Sequence, residues 1–158
     1  MITINSINCG IKSAYLSARL EVVKNSNFDL LPNGSVVYID GAHNKHGAVA
    51  VAEFLKCQKS IDGMANYLIN GRTAGSDLKG FLEPFVGVVD AVLAVRVRSE
   101  YFPESPENIA EAGLDLGIQS FIAGGILESI EKVSQISDLP VRILICGSFY
   151  LARDLKLL

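Results

Sequence analysis

Apolar residues along this chain fall into two patterns. Residues 36–39 are a continuous apolar run, 88–95 and 141–145 are strongly apolar runs interrupted only by Asp90 and Arg142, and 64–69 and 119–123 are weaker runs of similar character. A short unbroken run bounded by turn residues is the signature of a strand buried on both faces. Between these runs the apolar positions take a helical period. Ala48, Val51, Ala52 and Leu55 recur at i, i+3, i+4 and i+7, one face of a helix with Asn44 placed as its N-cap. Ser76 is expected to cap a short helix toward Phe85, and Pro106 to sit in the first turn of a helix toward Gly113. Gly124-Gly125 opens a helix with Ile126, Ile130 and Val133 on one side. Gly147-Ser148 leads into a last helix with Leu151, Leu155 and Leu158, Ser148 acting as its cap. A further strand is expected at 19–23, separated from Val36 by an Asn-, Gly- and Pro-rich stretch at 25–35.

Strands alternating with helices predict an α/β fold: a Rossmann-like three-layer domain, a mostly parallel sheet with helices on both faces. Ligands of such sheets gather at the carboxyl ends of the strands. The loops after Ile39, Ile69 and Ile145 are therefore the places to look for chemistry.

Composition narrows the picture. The 158 residues suit a single domain spanning 1–158, and 49% hydrophobic with 20% charged residues is the balance of a compact soluble protein. A net charge of −3 without a Lys/Arg block argues against a nucleic-acid surface, which needs clustered positive charge. No apolar stretch is long enough to span a membrane, and the first residues lack the basic and apolar regions of a signal peptide. The three cysteines, Cys9, Cys57 and Cys146, are widely spaced with no CxxC pair. Cys57 and Cys146 lie in apolar contexts and are expected to be buried thiols, in a reducing, cytoplasmic compartment.

Three loops carry candidate chemistry. In Asp40-Gly41-Ala42-His43-Asn44, a carboxylate ends a strand just before a helix. It can accept two hydroxyl hydrogen bonds, as from a ribose, while the helix start favours an anion. It can equally satisfy backbone donors of the turn. His43 and His46, the only histidines, have the spacing of a metal pair but no evident third ligand. A polar contact from His43 to an anion is the better reading, with His46 on the surface and no metal site assigned. In Cys146-Gly147-Ser148-Phe149-Tyr150, the glycine permits close backbone approach, but no base stands beside Ser148 and no Gly-x-Ser-x-Gly occurs. In Gly71-Arg72-Thr73-Ala74-Gly75-Ser76-Asp77, Arg72 could clamp a phosphate, or the loop could be a solvated connection. No Walker A motif is present.

The order of these pieces is more specific than any one of them. Asp-Gly-Ala-His-Asn after one strand, followed by Gly-Ser-Phe-Tyr-Leu after the last, resembles the C-terminal domain of folylpolyglutamate and dihydrofolate synthases, of the Mur ligase superfamily. Tyr15-Leu16-Ser17-Ala18-Arg19-Leu20 stands where that family has Trp-Pro-Gly/Ala-Arg-Leu/Phe, and 68–84 resembles its loop leading to a short helix. The likeness runs from about Gly10 to Leu155. Departures are Leu16-Ser17 for Trp-Pro, Lys45 for the proline after His-Asn, no lysine directly before Asp77, and Arg153-Asp154 in the last helix.

The resemblance implies an ATP-dependent carboxylate–amine ligase that adds L-glutamate to dihydropteroate or folates through an acyl phosphate. It implies an N-terminal domain carrying the P-loop and the Mg2+ ligands, which this chain lacks, so that the chain alone is expected to be inactive. By motif position, Arg19 and Asp40 are expected at ATP, with Asp40 at the ribose and at an exposed strand end. His43 is expected at the glutamate and phosphate region as the catalytic residue, and Ser148 at the glutamate. Alternatives are a degenerate, non-catalytic binding module of the same fold, and another Mur-type amide ligase domain.

Overall fold

A computed structural model describes residues 19–158. Cys9 and the 15–18 part of the Tyr15–Leu20 motif lie outside the described residues.

The expected strands form one six-stranded sheet: β1 (Glu21–Val22), β2 (Val36–Ile39), β3 (Ala65–Asn70), β4 (Ala91–Val95), β5 (Ser120–Ala123) and β6 (Val141–Cys146), in the order β1-β2-β6-β3-β4-β5. Among the described strands the β1–β2 pairing is antiparallel and the others are parallel. The last strand is thus inserted between β2 and β3, with Ile145 in register between Ile39 and Ile69. This insertion makes the three loops chosen from the sequence immediate neighbours at one edge.

Among the described residues five α-helices cover the sheet: α1 (Lys45–Asp62), α2 (Leu78–Leu82), α3 (Pro106–Asp115), α4 (Ile126–Ile136) and α5 (Tyr150–Leu155). Strand side chains alternate between faces, so each apolar run feeds two cores. Val37, Ile39, Tyr67, Ile69, Leu93, Ile143 and Ile145 pack with Ile130 and Val133 of α4 and Leu151 of α5. Leu68, Val92, Ala94, Leu144 and Cys146 pack with the Ala48–Val51–Ala52–Leu55 stripe of α1, with Phe81, Leu82 and Phe85, and with Ile109 of α3. No helix of the described residues is long and apolar enough to cross a membrane.

Several boundaries differ from the sequence reading. The strands expected from Met64, Val88 and Gln119 begin at Ala65, Ala91 and Ser120. Val88 and Val89 are buried under the preceding turn rather than in the ladder, a place apolar content alone does not distinguish. The strand expected over 19–23 is reduced to two residues, with Arg19 in a bend. The short helix before Phe85 is capped by Asp77, whose side chain accepts the Gly80 N–H, not by Ser76. Leu158 lies past the end of α5 and is exposed. Cys57 is exposed, not buried; two residues beyond Leu55 on α1, it has rotated about 200° off the buried stripe.

Candidate functional site

Asp40 follows β2, and its own N–H donates to the Ile145 carbonyl at 3.0 Å, continuing the ladder. It does not stand at an exposed strand end: it is 8% exposed. Its Oδ1 accepts the Ala42 N–H at 2.7 Å and its Oδ2 accepts the Leu20 N–H at 2.8 Å. The first bond is the local turn that short acidic side chains favour. The second reaches across the chain and fixes the bend that carries Arg19. Leu20 has φ +45°, the one non-glycine residue among those described in the left-handed region. Such a backbone costs on the order of 1–3 kcal/mol and persists only when its surroundings hold it. Here the Asp40 carboxylate does so.

Arg19, Asp40, Gly41, His43, Gly47 and Phe149 line one cleft of about 460 Å³. A Cβ at Gly41 would fall 2.2 Å from the Phe149 ring, so only glycine lets this ring lie against the loop. The His43 ring lies 5.0 Å from that of Phe149 at a tilt of 48°. His43 Nδ1 is 2.9 Å from the Gly41 carbonyl. A carbonyl can only accept, so Nδ1 carries a proton, and it is Nε2 that faces away from this bond. Asn44 caps α1 as expected, accepting the Gly47 N–H at 2.9 Å. Lys45, at the position where the family has proline, bonds Glu83 at 2.8 Å on the surface, and that bond raises its pKa. His46 is exposed. Among the described residues no group of three or more His, Cys, Asp or Glu side chains is placed to hold a metal ion.

Ser148 is near this cleft but does not line it. It is buried, its hydroxyl donates to Glu100 Oε2 at 3.3 Å, and it accepts the Tyr150 N–H at 3.3 Å. Helix α5 itself starts one residue later than expected, with Phe149 as N-cap. Glu100 also accepts from the Thr73 hydroxyl at 2.8 Å. The loop bearing Glu100 is anchored by Asp154, which accepts the N–H groups of Arg98 (2.7 Å) and Ser99 (2.9 Å). One departure from the family pattern, the Arg153-Asp154 pair, is therefore structural in its second member.

Arg72 is not on a solvated connection: it is 3% exposed. Its Nε–H donates to Ser76 Oγ at 2.9 Å and its Nη2 to the His43 carbonyl at 3.0 Å. The guanidinium lies 4.0 Å over the Phe81 ring, a cation–π contact. Desolvation pulls its pKa below the ordinary guanidinium value, against the opposing field of the Asp77 and Glu104 carboxylates. Gly147 allows β6 to approach it. That residue has φ +125°, and a Cβ there would lie 2.5 Å from Asn70 Nδ2 and from the Gly71 carbonyl.

The sheet order and the polar cleft beside β2 and β6 define an α/β domain of Rossmann-like class, with its candidate site at the carboxyl edge of the sheet. The family model of the dihydrofolate synthetase C-terminal domain matches residues 25–158, and the chain belongs to that family. Among solved structures it is similar to Escherichia coli FolC in complex with DHPP and ADP (22% identity, TM-score 0.77, 99% of this chain and 34% of that one). It is also similar to Mycobacterium tuberculosis folylpolyglutamate synthase complexed with ADP (20%, 0.77, 97% and 34%). A bifunctional folylpolyglutamate synthase/dihydrofolate synthase with Mn, AMPPNP and L-glutamate bound matches at 20%, 0.70, 98% and 34%. At these identities the likeness speaks for the fold. The chain spans about a third of the length of each. No curated protein matches it at a significant level.

Sequence reasoning selected Asp40, His43 and Ser148 from strand ends and Arg19 from the motif. The structure brings Arg19, Asp40 and His43 into one cleft and places Ser148 beside it. The sequence reading did not find Phe149 or Glu100. Phe149 adjoins Ser148 in the motif, which was its available signal; the Ser148–Glu100 contact spans 48 residues and leaves no local trace.

Proposed function

We propose that this chain is the C-terminal domain of an ATP-dependent ligase that joins L-glutamate to dihydropteroate or folates, working with an N-terminal domain that carries the P-loop. The observation that carries the reading is that Arg19, Asp40 and His43 line one cleft in a chain of this family. The similar structures hold ADP, AMPPNP, Mn, DHPP and L-glutamate, consistent with a reaction that uses ATP, a divalent ion and glutamate.

In the proposed reaction a substrate carboxylate oxygen attacks the γ-phosphorus of ATP and ADP leaves. The amine of glutamate then attacks the acyl carbon, phosphate leaves, and the nitrogen gives up a proton. Arg19 is assigned to the nucleotide, where a guanidinium offsets phosphate charge. Asp40 is assigned to the ribose through the acceptor capacity left beyond its two backbone bonds. His43 Nε2 is the group available to take a proton, and Ser148 is assigned to glutamate. A divalent ion would offset charge on the transferred phosphoryl group. Its ligands are assigned to the N-terminal domain. A reducing, cytoplasmic setting belongs to the same proposal, supported by the free thiols of Cys57 and Cys146.

The test is glutamate-dependent ATP cleavage by the full-length protein. His43→Gln is expected to lower turnover about a hundredfold, the lower end of what a positioned base contributes. Unchanged rate and glutamate dependence would remove His43 from the reaction. A second reading, a non-catalytic binding module, is favoured by one observation: both Asp40 oxygens already serve backbone N–H groups. A folded full-length protein that binds ATP without cleaving it in the presence of both other substrates would establish that reading instead.

A further inference from the structure

We infer that Arg72 is a positioning residue, the clamp that fixes the His43 segment against the other strand-end loops; its catalytic consequence rests on the ligase reading above. Three loops meet at this side chain and a fourth at its backbone carbonyl. Its Nη2 holds the His43 carbonyl at 3.0 Å, beyond β2. Its Nε holds Ser76 within its own loop, beyond β3. A Cβ at Gly147 would meet its Cγ at 3.3 Å, beyond β6, and its carbonyl accepts the Glu104 N–H at 2.8 Å, beyond β4.

The cost of this arrangement argues that it serves a purpose. Among the described residues no carboxylate forms an ion pair with Arg72, and Nη1 is buried with no hydrogen-bond partner. A buried, unpaired guanidinium is unfavourable. An apolar side chain of the same length would fill the space over Phe81 without that penalty, but it could not hold Ser76 and the His43 carbonyl at once. The rigid planar fork of arginine spans two acceptors set apart in this way; the single ammonium of lysine does not. His43 is itself exposed and bonded through its ring only to Gly41 of its own loop. The backbone already ties this segment to the Ser148 loop, the Gly147 N–H donating to the Ala42 carbonyl at 2.8 Å; Arg72 adds the long-range side-chain hydrogen bond that fixes the His43 carbonyl itself against the loop beyond β3.

The test compares Arg72→Met and Arg72→Lys in the full-length protein by two readouts. The first is amide hydrogen exchange, which applies whatever reaction the protein performs. Both variants are expected to exchange about fivefold faster across 41–47, the change that loss of one ordinary hydrogen bond corresponds to. Strands β3 and β6 are the internal control and stay protected as in the wild type. The second is kinetic: kcat/KM for glutamate is expected to fall about tenfold to a hundredfold in both variants, with the KM for ATP within about twofold of wild type. Unchanged exchange across 41–47 overturns the clamp. Raised exchange with unchanged glutamate kinetics overturns its role in the reaction. Wild-type kinetics in Arg72→Lys would show that charge alone matters and overturn the geometric argument. A wild-type protein without glutamate-dependent ATP cleavage refutes the ligase reading, while the exchange measurement still decides the clamp.

Discussion

Replacing Asp40 tests whether its carboxylate is a load-carrying part of the fold as well as a candidate ligand group. Asp40→Ala removes the acceptor for two backbone donors at once. The Ala42 N–H belongs to a residue only 7% exposed, so it is left without a partner in a site water enters poorly. An unsatisfied buried donor costs about 1–3 kcal/mol. The Leu20 N–H is half-buried and regains water more easily, and release of the Leu20 backbone from φ +45° returns part of its strain, about 1–3 kcal/mol. Together these give a net loss of about 1–2 kcal/mol. For a domain of this size each kcal/mol moves Tm by about 2–4 °C, so Tm should fall by about 2–8 °C. Thermal unfolding followed by circular dichroism measures it, with a urea titration at constant m to confirm that stability and not compactness has changed. Asp40→Asn keeps one acceptor for Ala42 but turns an N–H2 toward Leu20, and should fall between wild type and Asp40→Ala. A Tm change below about 1 °C in Asp40→Ala would refute the reasoning, because two charge-assisted bonds cannot be lost so cheaply.

Gly147→Ala should cost about 3 kcal/mol or more, since φ is +125° and the new methyl would meet Asn70 and the Gly71 carbonyl at 2.5 Å; a urea midpoint within error of wild type would contradict this. In a Cys9→Ser background, Cys57 is exposed and Cys146 buried, so a thiol reagent should label Cys57 at once and Cys146 only on unfolding; fast labelling of two thiols in the native protein would count against the described core. Burial raises the Cys146 thiol far above its ordinary value near 9. The unfolded chain then loses this proton above about pH 9 while the native state keeps it, so stability is fully present below that pH and falls as pH rises, by at most about 1.4 kcal/mol per pH unit. Cys146→Ala should flatten that alkaline slope, and an equal slope in both proteins would sink the assignment. Removing the surface pair by Lys45→Ala should shift Tm by less than about 2 °C, because exposed ion pairs contribute little; a larger shift would mean that Lys45 anchors the start of α1 in some other way.

Much of this architecture was legible along the chain because its causes are local. The apolar runs at 36–39 and 141–145, the second broken only by Arg142, read as doubly covered strands, and the period of Ala48, Val51, Ala52 and Leu55 reads as a helix face, without knowledge of any partner. Asn44 was readable as a cap because an Asx side chain reaches the N–H three residues on, which it does at Gly47. The Asp40–His43 motif was readable because its residues are contiguous.

Tertiary structure decided what depends on contacts between distant segments. The insertion of β6 between β2 and β3 joined three separate loops into one edge, and no periodicity encodes strand order. Along the chain Asp40 fits either a ribose ligand or an acceptor for its own turn, at an exposed strand end; the Leu20 N–H, 20 residues away, and the burial of the carboxylate are what only the folded chain adds. Arg72 looked like a loop residue because a guanidinium in a glycine-rich stretch is usually solvated; it is buried because the His43 carbonyl and the Phe81 ring converge on it from other elements. Local patterns determine which residues can form a strand, a helix or a cap, since those energies act over a turn or a pleat. Which polar groups are buried, and against what, is set only when the chain closes on itself and water is removed.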